Sequence, residues 1–286
     1  MLQLGPETGA AIDEGRSLLV AQQNGDGGWG YQSTNEQSFT EPTSWAMLAC
    51  QGSGSAAPSV SRGTDFLLAT QNEDGGWPNV FGMPSDIMTS RAVLALPDNA
   101  QTGATKSSGA EWLIRNELPE GGWGWCYGTT GFIDAAAFAI TALHHAGRLT
   151  DQERYLAYVS RLRCADGGWC SHVATKMDVP QASQISVTPL GVIALQRLSS
   201  QLPSSDSIDG ALALIERWIL SGEINTPYSL TMTLWCLVEA GAKDQLVIGM
   251  GHELTRHLHH EVREGKRTWY IAMMVYVLGQ ALSRQH

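Results

Sequence analysis

The stretch RGTDFLLATQNEDGGW, which spans Arg62–Trp77, recurs along this chain and decides its fold. It predicts the last turns of a helix, then a tight turn at Gly75 and Gly76, and then a tryptophan. Two glycines permit the positive φ that a sharp reversal after a helix requires. The pattern recurs whole or in part at Gly15–Trp29, at Gly109–Trp123 without the glutamine, and at Tyr155–Trp169. We interpret this turn as a structural device that fixes helix ends.

The spacing of the turns defines a repeat. Their tryptophans lie 46 to 48 residues apart, at Trp29, Trp77, Trp123 and Trp169. Trp269 follows 100 residues after Trp169, which predicts one further repeat with a degraded turn between the two. Six repeats of this length are typical of helical arrays.

Each repeat predicts two helices. The first precedes the turn and is amphipathic; these helices are predicted at Ala10–Gln23, Val60–Gln71, Ser107–Asn116, Asp151–Arg163, Ser207–Ser221 and Met250–Val262. The second is apolar nearly all round and must therefore be buried; these are predicted at Glu41–Gln51, Asp86–Leu96, Asp134–His145, Ile185–Arg197, Tyr228–Ala240 and Tyr270–Leu282. One ring of helices then lies inside another. The pattern alone does not decide between a closed barrel and an open solenoid.

Composition excludes several classes of protein. The chain of 286 residues has 18 basic and 28 acidic residues, a net charge of −10, whereas a nucleic-acid-binding face would be basic. The N-terminus has no signal-peptide pattern, and no apolar run is long enough for a transmembrane segment. Five cysteines form no disulfide framework. We therefore expect a soluble, cytoplasmic protein with no nucleic-acid partner.

The segment from Gly63 to Trp77 resembles the glutamine-tryptophan repeat of squalene and oxidosqualene cyclases. That repeat also occurs in the β-subunits of protein prenyltransferases and in class II terpene cyclases. Clear copies extend here from Gly15 to Trp169. The resemblance implies an all-α (α/α)6 barrel, in which residues 1–286 form one domain with the apolar helices inside. It also implies an apolar, isoprenoid-like substrate.

Class II cyclases carry Asp-Xaa-Asp-Asp-Thr-Ala at the start of an inner helix, where the middle aspartate protonates an alkene or epoxide. The resemblance makes Asp134, Asp86 and Glu41 the candidate acids, in that order, although no copy here has the paired aspartates. Each also fits the ordinary preference for acids at a helix N-terminus. The helix N-terminus lowers a carboxyl pKa and burial raises it, so a role as general acid depends on burial.

Arg91 interrupts an apolar inner helix at the position that Trp45 and Phe138 occupy in two others. Unless it reaches the surface, a buried guanidinium needs a partner, which we expect to be Asp86, Asp134 or an anionic group of the substrate. Aromatic rings near these acids would line a cavity and stabilise a carbocation, although each ring also suits ordinary core packing. The candidate substrate-binding residues are Arg91, Trp45, Phe81, Trp125, Tyr127, Phe132, Phe138, Tyr228, Trp235 and Tyr270.

Three functions remain open. The first is an enzyme that starts a cationic cyclisation or isomerisation of an isoprenoid and needs no metal or cofactor. The second is a non-catalytic barrel that binds an isoprenoid or a partner protein. The third, a prenyltransferase β-like subunit, is disfavoured because Asp-Xaa-Cys is absent and Cys164, Cys170 and His172 match no standard zinc spacing. A lone barrel leaves its mouth open, which predicts a homodimer or a partner protein that covers it.

Overall fold

The computed structural model describes residues 3–126, 130–171, 182–198 and 206–284. Within these ranges the chain forms twelve α-helices, one short 3-10 helix and no strand. The helices are α1 Pro6–Ala21, α2 Thr40–Cys50, α3 Ala57–Thr70, α4 Thr89–Ala95, α5 Gly103–Arg115, α6 Ile133–His145, α7 Gln152–Arg161, α8 Thr188–Arg197, α9 Asp206–Leu220, α10 Pro227–Glu239, α11 Asp244–Glu264 and α12 Thr268–Ser283.

The even-numbered helices form a closed inner ring. Each packs against the next, from α2 through α4, α6, α8 and α10 to α12, and α12 packs back against α2. The odd-numbered helices pack on the outside of this ring, each against at least one inner helix. Because the last inner helix meets the first, the molecule is a barrel and not an open solenoid. The predicted (α/α)6 fold is confirmed.

The predicted helix ends agree with the structure to within four residues, except at the start of α11. This helix begins at Asp244, six residues before the predicted Met250. Gly251 lies inside α11 and does not interrupt the helix. It allows Leu4 to pack closely against this helix. A Cβ atom on Gly251 would lie only 2.5 Å from Cδ2 of Leu4.

The repeated tryptophan joins an outer helix to the inner helix that follows it. In the second repeat the Trp77 indole Nε1 donates to the carbonyl of Leu67 near the end of α3, at 2.7 Å. The Trp77 backbone N–H donates to the hydroxyl of Thr89, the first residue of α4, at 2.8 Å. Both bonds recur in the first and fourth repeats. The third repeat keeps the indole bond and has Ala136 at the threonine position.

The glutamine before the turn joins one repeat to the next. Gln71 Nε2 donates to the carbonyl of Gly75, at 2.8 Å, and to that of Thr105 in α5, at 3.0 Å. Gln23 makes the equivalent pair of bonds in the first repeat. Gly75 has a φ of +87°, which residues with side chains rarely adopt. All of these contacts fit the structural role that the sequence predicts for the turn.

Candidate functional site

The inner helices bring functional side chains together at two opposite ends of the barrel. At one end lie the first turns of the inner helices. Burial raises the pKa of Tyr228 on α10, and the charges of Asp134 on α6 and Glu41 on α2 add to this effect. We call this end the acidic mouth and define it by Glu41, Asp86 and Asp134. At the other end, the last turns of α2, α4, α6, α8 and α12 surround a cavity that we call the C-terminal cavity.

Asp134 lies half-buried in the first turn of α6. Burial raises the pKa of its carboxyl above the usual range. Backbone N–H groups, including that of Ala135 at 2.8 Å, and the charge of Arg91 oppose this shift without cancelling it. Burial therefore outweighs the N-terminus of the helix. The Asp134 carboxyl has no side-chain hydrogen-bond partner among the described residues.

Asp86 has a more constrained position just before α4. Its carboxylate accepts hydrogen bonds from the backbone N–H groups of Asn79, at 3.0 Å, and Met88, at 2.7 Å. These bonds hold the segment before α4, which begins at Thr89 and not at Asp86 as predicted. Burial raises the pKa of Asp86 as well, against the effect of both bonds and of Arg91. Asp86 therefore combines a structural role with a raised pKa.

Glu41 belongs to a polar network that the sequence did not indicate. Its carboxylate accepts a hydrogen bond from the Tyr31 hydroxyl at 2.6 Å. The same hydroxyl accepts a bond from the Asn79 side chain at 2.9 Å. Because the Asn79 backbone also binds Asp86, the network connects two of the three mouth carboxyls. Burial and the charge of Glu41 raise the pKa of Tyr31, so its hydroxyl stays a donor.

Arg91 lies inside the barrel with only 3% of its surface exposed. Its guanidinium carbon is 3.6 Å from the ring centroid of Phe138 and 5.9 Å from that of Trp125. The expected ion pair with Asp86 or Asp134 is not formed: among the described residues, no carboxylate oxygen lies within 4.0 Å of the guanidinium. Arg91 still lowers the pKa of both aspartates from a longer distance.

A group of packed aromatic rings lies at the acidic mouth. The Trp269 ring contacts Tyr31, Tyr228 and Tyr270 and so connects these rings with one another. Trp269 stacks on Tyr270 with 4.4 Å between the ring centroids, and it lies 6.4 Å from Tyr228. The sequence suggested Trp269 as the turn tryptophan of the sixth repeat, but it lies within the first turn of α12 and is half-buried. Its position in the sequence directly before Tyr270, a predicted site residue, was the signal that could have placed Trp269 at the site.

A second group of rings packs deeper in the barrel. Trp45, Phe138 and Trp235 form a triangle with ring centroids 5.8 to 6.1 Å apart. Tyr276, which the sequence did not single out, packs against both tryptophans. All four rings line the C-terminal cavity, whose volume is about 500 Å³. The predicted substrate-binding aromatics are thus divided between the two ends.

The remaining candidates lie at the rim or outside it. Phe81 is 67% exposed and borders a groove on the outer surface, so the structure does not bring it into the barrel. Gly82 follows it with a φ of +83° and turns the loop outward. Trp125 lines a pocket of about 330 Å³ beside Asp86. Phe132 is half-buried at the N-cap of α6, and Tyr127 lies outside the described residues.

The structure also bears on metal binding and on membrane-spanning helices. Among the described residues, no group of three His, Cys, Asp or Glu side chains is placed to hold a metal ion. Cys164 and Cys170 are described, whereas His172 is outside the described ranges. None of the described helices combines the length and apolar character required to cross a membrane.

Comparison with known sequences supports the predicted resemblance. Residues 5–88 match the sequence model of the squalene-hopene cyclase C-terminal domain. The resemblance to squalene cyclases is therefore confirmed, and the matched segment includes the first two tryptophan turns. No curated protein sequence is significantly similar to the chain.

Solved structures of similar fold cover nearly all of the chain. A variant of the type II terpene cyclase MstE from Scytonema, in complex with geranylgeranyl dihydroxybenzoate, has 12% identity and a TM-score of 0.70 over 98% of each chain. A protein from Actinoplanes has 16% identity and a TM-score of 0.67 over 97% of this chain and 99% of that one. An inactive variant of an α-1,6-mannanase from Salegentibacter, in complex with α-1,6-mannotriose, has 10% identity and a TM-score of 0.67 over 96% of this chain and 99% of that one. At such low sequence identities the structural similarity shows the fold alone, and this fold is shared by terpene cyclases and glycosidases.

Proposed function

We propose that this chain is a class II-like terpenoid cyclase or isomerase in which Asp134 protonates an isoprenoid substrate at the acidic mouth. The state of Asp134 supports this most directly. A general acid must keep its proton near neutral pH and be free to deliver it. Burial raises the pKa of Asp134, and its carboxyl has no side-chain partner among the described residues. Asp86 and Glu41 are instead engaged by Asn79 and Tyr31, and we assign them positioning roles.

The proposed reaction conserves atoms and charge. The proton moves from the Asp134 carboxyl to one carbon of a substrate double bond, whose electron pair forms the new C–H bond. The adjacent carbon becomes a carbocation. A second double bond of the same substrate attacks this carbon and closes a ring. The product cation then loses one proton to solvent water, and the Asp134 carboxylate regains one proton from solvent, so that substrate and product are isomers and the acid is restored.

The surroundings of Asp134 suit a cationic intermediate. The rings of Tyr228 and Trp269 lie at the mouth, and aromatic faces attract cations. The Tyr270 ring already stacks on Trp269 and has the Arg267 guanidinium carbon 5.0 Å from its centroid. The charge of Arg91 opposes a carbocation deeper in the barrel and favours one on the aromatic side of the mouth. A prenylated substrate is also consistent with the geranylgeranyl compound bound in the similar MstE structure.

A non-catalytic barrel that binds an isoprenoid or a partner protein is the second candidate function. The packing of Trp45, Phe138, Trp235 and Tyr276 favours it, because these rings occupy the middle of the barrel and limit how far a long prenyl chain can enter. The absence of paired aspartates from the sequence also favours it. Turnover by the purified protein distinguishes the two functions.

The test is incubation with geranyl, farnesyl and geranylgeranyl diphosphates and with geranylgeranyl dihydroxybenzoate, followed by mass-spectrometric detection of isomeric products. We expect Asp134→Asn to lower kcat by about 10²-fold or more, since general acid catalysis contributes about 10²–10⁴-fold, with little change in KM. Asp65→Asn on the exposed outer surface is the matched control and should retain activity. Unchanged turnover in Asp134→Asn would refute the assignment. Tight binding by the wild type without any product would support the binding barrel.

A further inference from the structure

The C-terminal cavity is separate from the acidic mouth and has a built lining of its own. It lies between the last turns of α2, α4, α6, α8 and α12, and its volume of about 500 Å³ is within the range of small-molecule sites. One side consists of the packed rings of Trp45, Phe138, Trp235 and Tyr276. These rings offer flat apolar surface to a ligand that enters from this end.

Three side chains that line this cavity carry a buried N–H group with no hydrogen-bond partner in the described parts of the chain. They are Trp45, through its indole Nε1, and Arg91 and Arg197, each through its guanidinium Nε. Trp45 is 2% exposed and Arg91 is 3% exposed, so solvent does not satisfy these groups. Buried donors are normally paired, because leaving them unpaired is costly. All three are donors, so the polar part of the lining is complementary to acceptor atoms and not to further donors.

The charge of the lining indicates which acceptors fit. Arg197 forms an ion pair with Glu239, with 2.7 Å between the nitrogen and the oxygen. Arg91 has no carboxylate within 4.0 Å among the described residues, so its positive charge is not neutralised by a direct partner. Guanidinium groups bind oxyanions through geometrically matched hydrogen bonds. His144 at the rim is neutral near pH 7, because burial and Arg197 lower its pKa.

We propose that the C-terminal cavity binds an amphipathic organic acid, whose ring-containing apolar body packs on the aromatic wall and whose anionic head pairs with the guanidinium of Arg91. This site is opposite the acidic mouth and does not depend on the reaction proposed there. The apolar body and the anionic head of the ligand bind different parts of the lining, so the contribution of each can be tested separately.

The experiment compares two fluorescent probes that share an apolar body. The first, 8-anilinonaphthalene-1-sulfonate, carries an anionic head, and the second, N-phenyl-1-naphthylamine, lacks it. With the full chain we expect saturable binding of the sulfonate at one site and at least tenfold weaker binding of the neutral probe. Arg91→Gln should weaken sulfonate binding at least tenfold and change binding of the neutral probe less than twofold. Lys243→Gln removes the same charge from the exposed surface and should change neither.

Two further variants locate the probe and separate this proposal from the catalytic one. Leu48→Trp adds bulk to the cavity wall and should reduce binding of both probes, provided that circular dichroism shows a folded protein. Asp134→Asn should change the sulfonate affinity far less than Arg91→Gln does, whatever its effect on turnover, because Asp134 interacts with Arg91 only at longer range. Sulfonate binding that survives both Arg91→Gln and Leu48→Trp would overturn the proposal. Equal binding of the two probes to the wild type would also overturn it.

Discussion

The hydrogen bond between Trp77 and Thr89 allows a quantitative test of how the repeat is held together. The substitution Thr89→Val keeps the shape of the side chain and removes the hydroxyl that accepts from the Trp77 N–H at 2.8 Å. Both residues are fully buried, so no water replaces the lost acceptor. The carbonyl of Trp77 keeps its bond from Asp86 N, and the cost falls on the N–H alone. An unpaired buried donor costs about 1–3 kcal/mol.

This cost is measurable as a shift in melting temperature. An unfolding entropy of about 2.1 cal/mol/K per residue gives roughly 600 cal/mol/K for a chain of 286 residues, so a loss of about 2 kcal/mol lowers Tm by about 3 °C. Scanning calorimetry at one pH and one scan rate measures it. The matched control is Thr231→Val, because the equally buried Thr231 hydroxyl donates only to the Pro227 carbonyl of its own helix. Equal Tm shifts in the two variants would refute the view that this threonine anchors the turn.

Two other predictions concern stability. The pKa of Asp134 is raised in the folded protein, so the wild type loses stability as pH rises through that pKa. Asp134→Asn should therefore melt near the wild type at pH 4 but at a higher temperature than the wild type at pH 7.5. Thermal melts across this pH range measure the difference in Tm between the two proteins, and a difference that narrows with rising pH would contradict the prediction. Gly191→Ala would place a Cβ atom 2.3 Å from the Trp169 ring, which a hydrogen bond holds in place, and should lower the free energy of unfolding by about 1–3 kcal/mol. Gly9→Ala in α1 has free space for its Cβ atom and should raise the free energy of unfolding by up to about 1 kcal/mol. Denaturant titrations compare the two variants, and equal effects would contradict the packing around Gly191.

The sequence predicted the fold well because its signals are local and repeated. The apolar inner helices and the glycine turns follow from residue types that are adjacent along the chain, and twelve helices were found where they were expected. The start of α11 was missed because Gly249 and Gly251 suggest a break when their packing is unknown. Closure of the ring came from the resemblance and not from the pattern, since periodicity carries no information about whether the last repeat meets the first.

The candidate site was predicted only in part, because it depends on contacts between distant segments. Asp134 was placed correctly by its position in the inner helix. The bonds that engage Glu41 and Asp86 involve Tyr31 and Asn79, which lie 48 residues apart, and no local pattern connects them. The C-terminal cavity was not foreseen, because the spacing of apolar residues shows which face of a helix is buried but not where the packing leaves space.

The closed inner ring has a consequence for how the protein unfolds. In an open helical array each end repeat has one free face, so the array loses its ends one by one. Here α12 packs against α2 and α1, and Thr8 on α1 shares a hydrogen bond with Thr255 on α11 at 3.1 Å. Every repeat therefore has two neighbours, and the loss of any one exposes apolar faces on both sides. The barrel should lose its structure as one cooperative unit, without a stable form of five repeats.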